Sequence, residues 1–238
     1  MQAERVRTRS KVHAIVGPTG VGKSAAATEL ASATGAPVLV ADRIQCFTDL
    51  AVTTSRATDE NAHGVHRIWL SDRTIGDGDI PPDDAVDMVV TRLGQLVARH
   101  RLVVVEGGSI SIMLGLAERI DDLPFPVTIQ VMRITDPDGY RTRLRARARQ
   151  MLLPDRYGRS LLTEFAAVWA VPAQRVFLAA LPGPDRILDW CERHAIEPGS
   201  VDRVAFAPAM LDALSRSIGD RHAEHGFLQD QIFSEVFD

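Results

Sequence analysis

The sequence predicts an α/β fold, in which a mostly parallel β-sheet is flanked by helices and followed by a smaller helical subdomain. Four short apolar runs have the length of buried strands: residues 12–16, 37–41, 102–105 and 127–134. Stretches with helical spacing of apolar residues lie between them, at 24–34 and 83–100. Strands that alternate with helices are typical of a parallel sheet with helices on both faces.

The C-terminal third of the chain predicts helices only. Asp136-Pro137 opens a helix, since proline is tolerated in a first helical turn. Beyond it, apolar residues recur at helical spacing in three segments: 161–169, 187–191 and 210–218. A length of 238 residues allows one sizeable core with an appended part. We therefore expect an α/β core at residues 1–147 and a helical subdomain at 148–238.

Composition and charge exclude several classes of protein. The net charge of −4 does not indicate a general binder of polyanions, and no run of about 18 apolar residues is present to span a membrane. Residues 1–11 lack the apolar region of a secretory signal. Two distant cysteines, Cys46 and Cys191, make no disulfide framework. We expect a cytoplasmic protein with neither a membrane nor a nucleic acid as partner.

A phosphate-binding loop follows the first predicted strand. The segment Gly17-Pro-Thr-Gly-Val-Gly-Lys-Ser24 fits the pattern G-x-x-x-x-G-K-[ST] in full and precedes a predicted helix. Gly17, Gly20 and Gly22 let successive backbone N–H groups form an anion cradle at a helix N-terminus. Lys23 adds a point charge, and the Ser24 hydroxyl is a ligand for Mg²⁺. The sheet is thus predicted to be P-loop NTPase-like. The loop does not specify what carries the phosphates, although ATP is the usual ligand.

Two further strand ends carry polar residues. Asp42 follows the second strand, and Glu106-Gly-Gly-Ser109 follows the third. In open α/β sheets, ligands bind outside the carboxyl ends of the strands, and glycines allow close approach to the backbone. Asp42 can alternatively be a helix N-cap or a carboxylate near Mg²⁺, and Glu106 can be the ordinary acidic residue of a nucleotide site.

Arginines alternate through the helix that begins near residue 137. On a helix they form two stripes about 200° apart: Arg141, Arg145 and Arg149 on one, Arg143 and Arg147 on the other. We expect Arg143 and Arg147 to reach inward to a phosphate while the other stripe stays in water. A solvated basic face and an RNA-contacting helix are the alternatives.

Several stretches together resemble adenylate isopentenyltransferases, the bacterial cytokinin-forming enzymes, which are relatives of the transferases that prenylate an adenosine in tRNA. Besides the phosphate loop, the matching stretches occur in family order: Asp42-Arg-Ile-Gln-Cys46, Arg67-Ile-Trp-Leu70 with Arg73, Glu106-Gly-Gly-Ser-Ile-Ser111, Arg143-x3-Arg147-x3-Met151, and Ser160-Leu-Leu-Thr-Glu164 with Trp169. They cover most of residues 12–195. The phosphate loop alone is unspecific, whereas the stretches that begin at Asp42 and at Glu106 are together quite specific.

The resemblance implies that a dimethylallyl group moves from dimethylallyl diphosphate to N6 of an adenine nucleotide, with AMP as the expected acceptor. By matching position, the leaving diphosphate is held by Thr19, Lys23, Ser24 with Mg²⁺, Arg143 and Arg147. Asp42 matches the general base. The residues expected at the nucleotide are Asp42, Thr54, Arg56 for its phosphate, Gly107, Gly108 and Ser109.

The sequence departs from the family pattern in the helical half. Relatives that accept a hydroxylated prenyl donor carry an Asp–Gly pair where this chain has Pro182-Gly183, and a Tyr and a His where it has Ile218 and Arg221, with His222 adjacent. An apolar donor pocket is therefore expected. The chain is also short for the tRNA-modifying branch. We expect a monomer.

Three other functions remain open at this point: a small-molecule kinase that uses ATP, a tRNA dimethylallyltransferase, and a non-catalytic nucleotide-binding switch. His222 and His225 are spaced as a pair of metal ligands on a helix, but no third ligand lies near them in the sequence. We interpret them as surface histidines.

Overall fold

A parallel five-stranded sheet forms the centre of the molecule. The computed structural model describes residues 10–56 and 64–237. The strands are β1 (Lys11–Val16), β2 (Val38–Ala41), β3 (Arg67–Trp69), β4 (Leu102–Gly107) and β5 (Val127–Val131). Their order across the sheet is β3-β2-β4-β1-β5, and every neighbouring pair is parallel. The predicted α/β sheet is confirmed.

The helices of the described residues follow in chain order. They are α1 (Lys23–Thr34), α2 (Ala51–Thr54), α3 (Pro82–Val97), α4 (Ile110–Arg119), α5 (Pro137–Leu152), α6 (Leu161–Trp169), α7 (Arg175–Ala180), α8 (Pro184–Arg193) and α9 (Pro208–Phe237). Strand β3 and helix α4 lie where we predicted no regular element. Helix α9 runs 19 residues past the predicted end at Ile218. Polar residues beyond that point, such as His222, His225 and Gln229, interrupt the apolar spacing on which the prediction depended.

Alternation along the strands gives each face of the sheet its own core. Val12, Ala14 and Val16 of β1 pack with buried residues of α3 and α4 on one face. Ile15 packs with α1 on the opposite face. Helices therefore cover both faces, as the sequence predicts.

The strand register brings three loops to the same edge of the sheet. Val16 at the end of β1 and Ala41 at the end of β2 both pair with Gly107 at the end of β4. The phosphate loop, Asp42 and the turn after Gly107 consequently lie next to one another.

A second core holds the helical half together. Buried residues of α6, α8 and the first half of α9 pack there with Phe47 and Leu50 from the loop after β2. The predicted boundary between residues 147 and 148 lies inside α5. Further along α9, Phe233 is part of the core beneath the sheet. The helical half is thus joined to the sheet by two continuous helices and by this shared loop.

Both cysteines, Cys46 and Cys191, are buried free thiols. Within residues 10–56 and 64–237, no single helix has the length and apolarity needed to cross a membrane. Two helical segments that meet at a bend of 115°, Leu161–Trp169 and Pro172–Ala180, are together long and apolar enough for a span by length and composition only.

Candidate active site

A cavity of about 540 Å³ opens at the carboxyl edge of the sheet, between the sheet and the helical half. The sheet contributes residues of three loops to its wall: Thr19, Gly20, Lys23 and Ser24, then Asp42 to Gln45, then Gly108 to Ser111. The helical half contributes Arg147, Met151, residues 180–182, His222, His225 and Gln229. This volume is in the usual range for small-molecule sites.

A second cavity of about 670 Å³ adjoins the first. The two cavities share Ser24, Gln45, Ser55 and Glu106 as lining residues, and the second extends along α1 to Trp69. The site therefore offers two neighbouring spaces beside the phosphate loop.

The phosphate loop is fixed by glycines and by helix α5. Gly20 and Gly22 have φ angles of 70° and 107°, in the left-handed region that favours glycine. A Cβ at Gly20 would lie 2.6 Å from Leu144 Cδ2 of α5, so any side chain there would have to displace the Leu144 side chain. The backbone of Gly22 caps the N-terminus of α1 and leaves N–H groups directed at an anion.

Lys23 is buried at the floor of the cavity. Its Nζ donates a hydrogen bond to the Pro18 carbonyl at 2.5 Å. Burial lowers the pKa of Lys23 to about 8, and the nearby Glu106 and Asp42 carboxylates counteract that shift. A Cβ on Gly108 would lie 3.2 Å from Nζ, so the glycine leaves room for the ammonium group. An arriving polyanion would raise this pKa and so favour the charged form of the amine further.

Glu106 is the acidic partner of the loop. Its carboxylate accepts hydrogen bonds from Ser24 Oγ and, at 2.6 Å, from the Arg67 guanidinium. Arg67 also donates to the Ser24 carbonyl at 3.0 Å and to Thr28 Oγ1 at 2.7 Å. This buried network ties β4 and β3 to the first turn of α1 and orients the Ser24 hydroxyl.

Asp42 projects into the cavity from the end of β2. Its two oxygens accept hydrogen bonds from Ile44 N at 3.1 Å and Gln45 Nε2 at 3.0 Å. Burial raises the pKa of Asp42, while these hydrogen bonds and the Lys23 charge lower it. The bond from Ile44 N is a local turn contact, because the short helical turn Ile44–Cys46 has Arg43 as its N-cap and no side-chain cap bond. The place of Asp42 in the cavity wall is compatible with the base that the sequence predicts.

The two arginine stripes of α5 have different surroundings. Arg147 lines the cavity and donates a hydrogen bond to Ser55 Oγ, and burial lowers its pKa. Arg145 and Arg149 remain 41% and 44% exposed, as predicted for the outer stripe, and form surface ion pairs with Asp220 and Asp212 of α9. These pairs form because α9 packs along that side of α5.

Arg143 lies one turn before Arg147 and is exposed. It is not part of the cavity wall, and within residues 10–56 and 64–237 no acidic group forms an ion pair with it. Arg143 is therefore an exposed arginine outside the cavity wall, which the predicted inward position does not match.

The short helix α2 forms the opposite wall. Thr53, Thr54 and Ser55 line the cavity, and Thr54 Oγ1 donates to the Leu50 carbonyl at 2.8 Å. Glu164 of α6 fixes this helix, because its buried carboxylate accepts bonds from Val52 N at 2.8 Å and from Thr53 N and Oγ1 at 2.7 Å each.

Arg56, the residue predicted to meet the nucleotide phosphate, is directed elsewhere. Its guanidinium donates to the Gln45 and Ser71 carbonyls, pairs with Asp72 and stacks over the Trp69 ring. It does not line the main cavity. These contacts make Arg56 a support of the loop after β2.

His222 and His225 line the cavity, which corrects their interpretation as surface residues. His222 Nε2 lies 3.1 Å from the Pro182 carbonyl, and burial lowers the pKa of His222 to about 4. Burial also lowers the pKa of His225. Ile218, predicted to face the prenyl donor, is instead fully buried in the second core. The described residues include no cluster of three metal-ligating side chains.

The phosphate loop, the strand-end Asp42 and Arg147 of α5 thus meet at one cavity. The isopentenyl transferase family model matches residues 10–237. The chain belongs to the isopentenyl transferase family. The adenylate dimethylallyltransferase of Rhodococcoides fascians is 47% identical over 98% of this chain and 92% of its own length. The adenylate dimethylallyltransferase of Ralstonia solanacearum is 29% identical over 94% and 93%.

Solved structures of isopentenyl transferases share this fold. The tRNA Δ(2)-isopentenylpyrophosphate transferase of Staphylococcus epidermidis superposes with a TM-score of 0.69 at 11% identity, covering 96% of this chain and 91% of that one. The tRNA isopentenylpyrophosphate transferase of Bacillus halodurans gives 0.66 at 16% identity, covering 92% and 86%. At such identities the similarity concerns the fold alone.

The isopentenyl transferase cavity gathers most of the predicted site residues. Those in its wall are Thr19, Gly20, Lys23, Ser24, Asp42, Thr54, Gly108, Ser109 and Arg147. Gly17, Gly22 and Gly107 shape the adjoining backbone, while Arg56 and Arg143 lie outside the wall. Three residues that form or support the site were not predicted as parts of it: Glu164, His225 and Gln229. Glu164 lies in a quoted stretch, whereas the other two lie beyond the predicted end of the last helix.

Proposed function

We propose that this protein transfers the dimethylallyl group of dimethylallyl diphosphate to N6 of an adenine nucleotide, with AMP as the acceptor. The observation that carries the proposal is the placement of Asp42 and Lys23 in the wall of one cavity. A carboxylate base thus faces the same space as a phosphate cradle. In a kinase, the phosphates of ATP bind in the cradle. In the reaction proposed here, the donor diphosphate binds there and the adenine of the acceptor binds in the adjoining space.

The donor diphosphate fits the phosphate loop. The backbone N–H groups after Gly20, the Lys23 ammonium and the Arg147 guanidinium surround that end of the cavity. As the allylic C–O bond breaks, its electron pair moves onto the diphosphate, so negative charge grows there. Cations and N–H dipoles already aimed at developing charge are commonly the largest contribution to catalysis.

The acceptor amine is activated by Asp42. The exocyclic nitrogen of adenine is a poor nucleophile because its lone pair is delocalised into the ring. A carboxylate that accepts an N6–H bond localises the pair as the new C–N bond forms. The proton passes to Asp42, and diphosphate leaves. Gln45 and the Ile44 N–H hold the carboxylate in position for this exchange.

The donor set at the phosphate loop fits Mg²⁺. Ser24 Oγ and the Glu106 carboxylate lie in contact beside the cradle. Mg²⁺ in phosphate sites is held by one or two protein oxygens together with phosphate and water. We propose that the Ser24 hydroxyl is the ligand of the ion and that the Glu106 carboxylate orients this hydroxyl. When bound, the ion neutralises charge on the diphosphate.

A direct assay tests the function. The protein is incubated with Mg²⁺, dimethylallyl diphosphate and, in parallel, AMP, ATP or unmodified tRNA, and products are identified by mass. We expect N6-dimethylallyl-AMP and diphosphate. Prenylated tRNA alone, or phosphate transfer from ATP without any prenylated product, contradicts the proposal.

The arginines of α5 give a test within one helix. We expect Arg147→Ala to lower kcat/KM for the donor by about 10- to 100-fold, since a charge-assisted hydrogen bond contributes about 1.5–3 kcal/mol. Arg143→Ala should lower it less, because Arg143 is exposed. Arg145→Ala is the matched control, since Arg145 pairs with Asp220 outside the cavity.

Steady-state kinetics of the three variants measure these effects. Equal losses in Arg147→Ala and Arg145→Ala would show that α5 acts through its packing rather than through a contact with the diphosphate.

The prenyl tail should be unsubstituted. The wall near α7 and α8 is apolar, with Ala180, Leu181 and Pro182, and His222 Nε2 is engaged by the Pro182 carbonyl. A tail hydroxyl left without a partner costs about 1–3 kcal/mol, so we expect a preference of roughly tenfold or more for dimethylallyl diphosphate over its hydroxylated analogue. Competition between the two donors at equal concentration measures the ratio. A ratio near one would show that His222 turns to accept the hydroxyl.

A further inference from the structure

Helix α9 contributes a buried carboxamide to the phosphate loop. Gln229 is 4% exposed, although it lies near the end of the chain and 210 residues from its partner in the loop. Its Oε1 accepts a hydrogen bond from Thr19 N at 2.8 Å, and its Nε2 donates to the Gly108 carbonyl at 2.5 Å. One side chain thereby joins the loop after β1 to the loop after β4.

The backbone of Thr19 is held from both sides. While Gln229 accepts its N–H, the Tyr140 hydroxyl of α5 donates to its carbonyl at 2.6 Å. Tyr140 is fully buried, and Gly226 of α9 makes room for it, since a Cβ there would lie 1.9 Å from the hydroxyl oxygen. Helices α5 and α9 therefore fix the two peptide groups on either side of Thr19 in the anion cradle.

We propose that Gln229 is a positioning residue for the phosphate-bearing ligand. It sets the distance between the cradle and the Gly108 turn, against which the Lys23 ammonium lies. Its role depends on the amide having one acceptor and one donor in a fixed order, because Thr19 offers an N–H and Gly108 offers a carbonyl. The proposed function enters only in naming that ligand as a prenyl diphosphate.

Two substitutions separate the two bonds. Gln229→Met keeps the length of the side chain and removes both hydrogen bonds. Gln229→Glu keeps an acceptor for Thr19 N but places a carboxylate oxygen against the Gly108 carbonyl, close to the site of an anion. The matched control is Gln231→Ala, since Gln231 is exposed on the same helix and bonds to Glu235 outside the cavity.

Calorimetric titration with inorganic pyrophosphate and Mg²⁺ tests the proposal without requiring any turnover. We expect affinity to fall about five- to tenfold in Gln229→Met, the change for a hydrogen bond of about 1 kcal/mol, and further in Gln229→Glu. Gln231→Ala should bind as the unchanged protein does. In kinetics the donor KM should rise while the AMP KM stays within about twofold of the unchanged protein.

Melting temperatures and hydrogen exchange of residues 17–24 distinguish a local change in the phosphate loop from a general loss of stability. Faster exchange confined to that segment, in a variant with a near-normal melting temperature, supports positioning. Unchanged pyrophosphate affinity in folded Gln229→Met overturns the proposal, as does an equal loss of AMP affinity. If Gln229→Met does not fold, the same criteria are applied to Gln229→Glu. Absence of prenyl transfer by the unchanged protein would reject the proposed function and not this one.

Discussion

Asp42→Asn is expected to leave the fold intact and to abolish most of the turnover. The asparagine oxygen still accepts the Ile44 N–H, and Gln45 can turn its amide to meet the new NH₂ group. What is lost is the ability to take a proton from N6. Removal of a general base typically costs about 10²–10⁴-fold in rate. The measurement is kcat with saturating AMP and dimethylallyl diphosphate.

The matched control is Asp79→Asn, since Asp79 pairs with Arg43 beside Asp42 but does not line the cavity. The pH profile adds a second readout. Burial raises the pKa of Asp42, and the active form is the carboxylate, so the rate should fall as pH decreases through that raised value. The residual rate of Asp42→Asn should lack this limb. A near-normal kcat in the variant would remove Asp42 from the mechanism.

The sheet and the phosphate side of the site could be predicted because their signals are local. An apolar run that ends in a complete phosphate-loop motif fixes a strand, a turn and a helix N-terminus together. The strand register then brings Asp42 and Gly108 to the same edge, as the rule for carboxyl ends of parallel strands predicts.

The part of the helical wall that α9 forms could not be predicted because its signals are not local. Gln229 is buried only because α9 folds back across the phosphate loop. His225 is a cavity residue for the same reason, and nothing in its neighbours along the sequence shows this. Arg56 is the converse case. Its charge suits a phosphate, but the carbonyls of Gln45 and Ser71 and the face of Trp69 hold it in the loop after β2.

Family membership and geometry constrain different parts of the function. Relatives of this chain include enzymes named for adenylate, and solved structures of tRNA isopentenyl transferases share its fold. In this chain, α9 closes one side of the cavity with Gln229 and the two histidines. Under the proposed function, the helical half contributes to the donor side as well as the phosphate loop, so changes in either should affect the diphosphate more than the adenine.

Lys23→Ala is expected to separate the two substrates most sharply. Lys23 is buried at the floor of the cradle, and its ammonium group is the point charge that a diphosphate in the cradle would meet. Burial lowers the pKa of Lys23 to about 8, and the negative charge of a diphosphate would raise it again. Loss of one donor aimed at developing charge costs about 10²–10³-fold, so kcat/KM for dimethylallyl diphosphate should fall by that factor. The affinity for AMP should change little.

Calorimetric titration of each substrate alone shows whether the donor diphosphate or the nucleotide phosphate binds at the phosphate loop. Lys11→Ala is the matched control, because Lys11 is the other lysine of the chain and lies exposed at the opposite end of β1. Loss of ATP binding rather than donor binding would indicate a kinase. If AMP affinity fell while donor affinity were unchanged, the cradle would hold the acceptor phosphate, and the roles proposed for Arg147 and Gln229 would pass to the nucleotide.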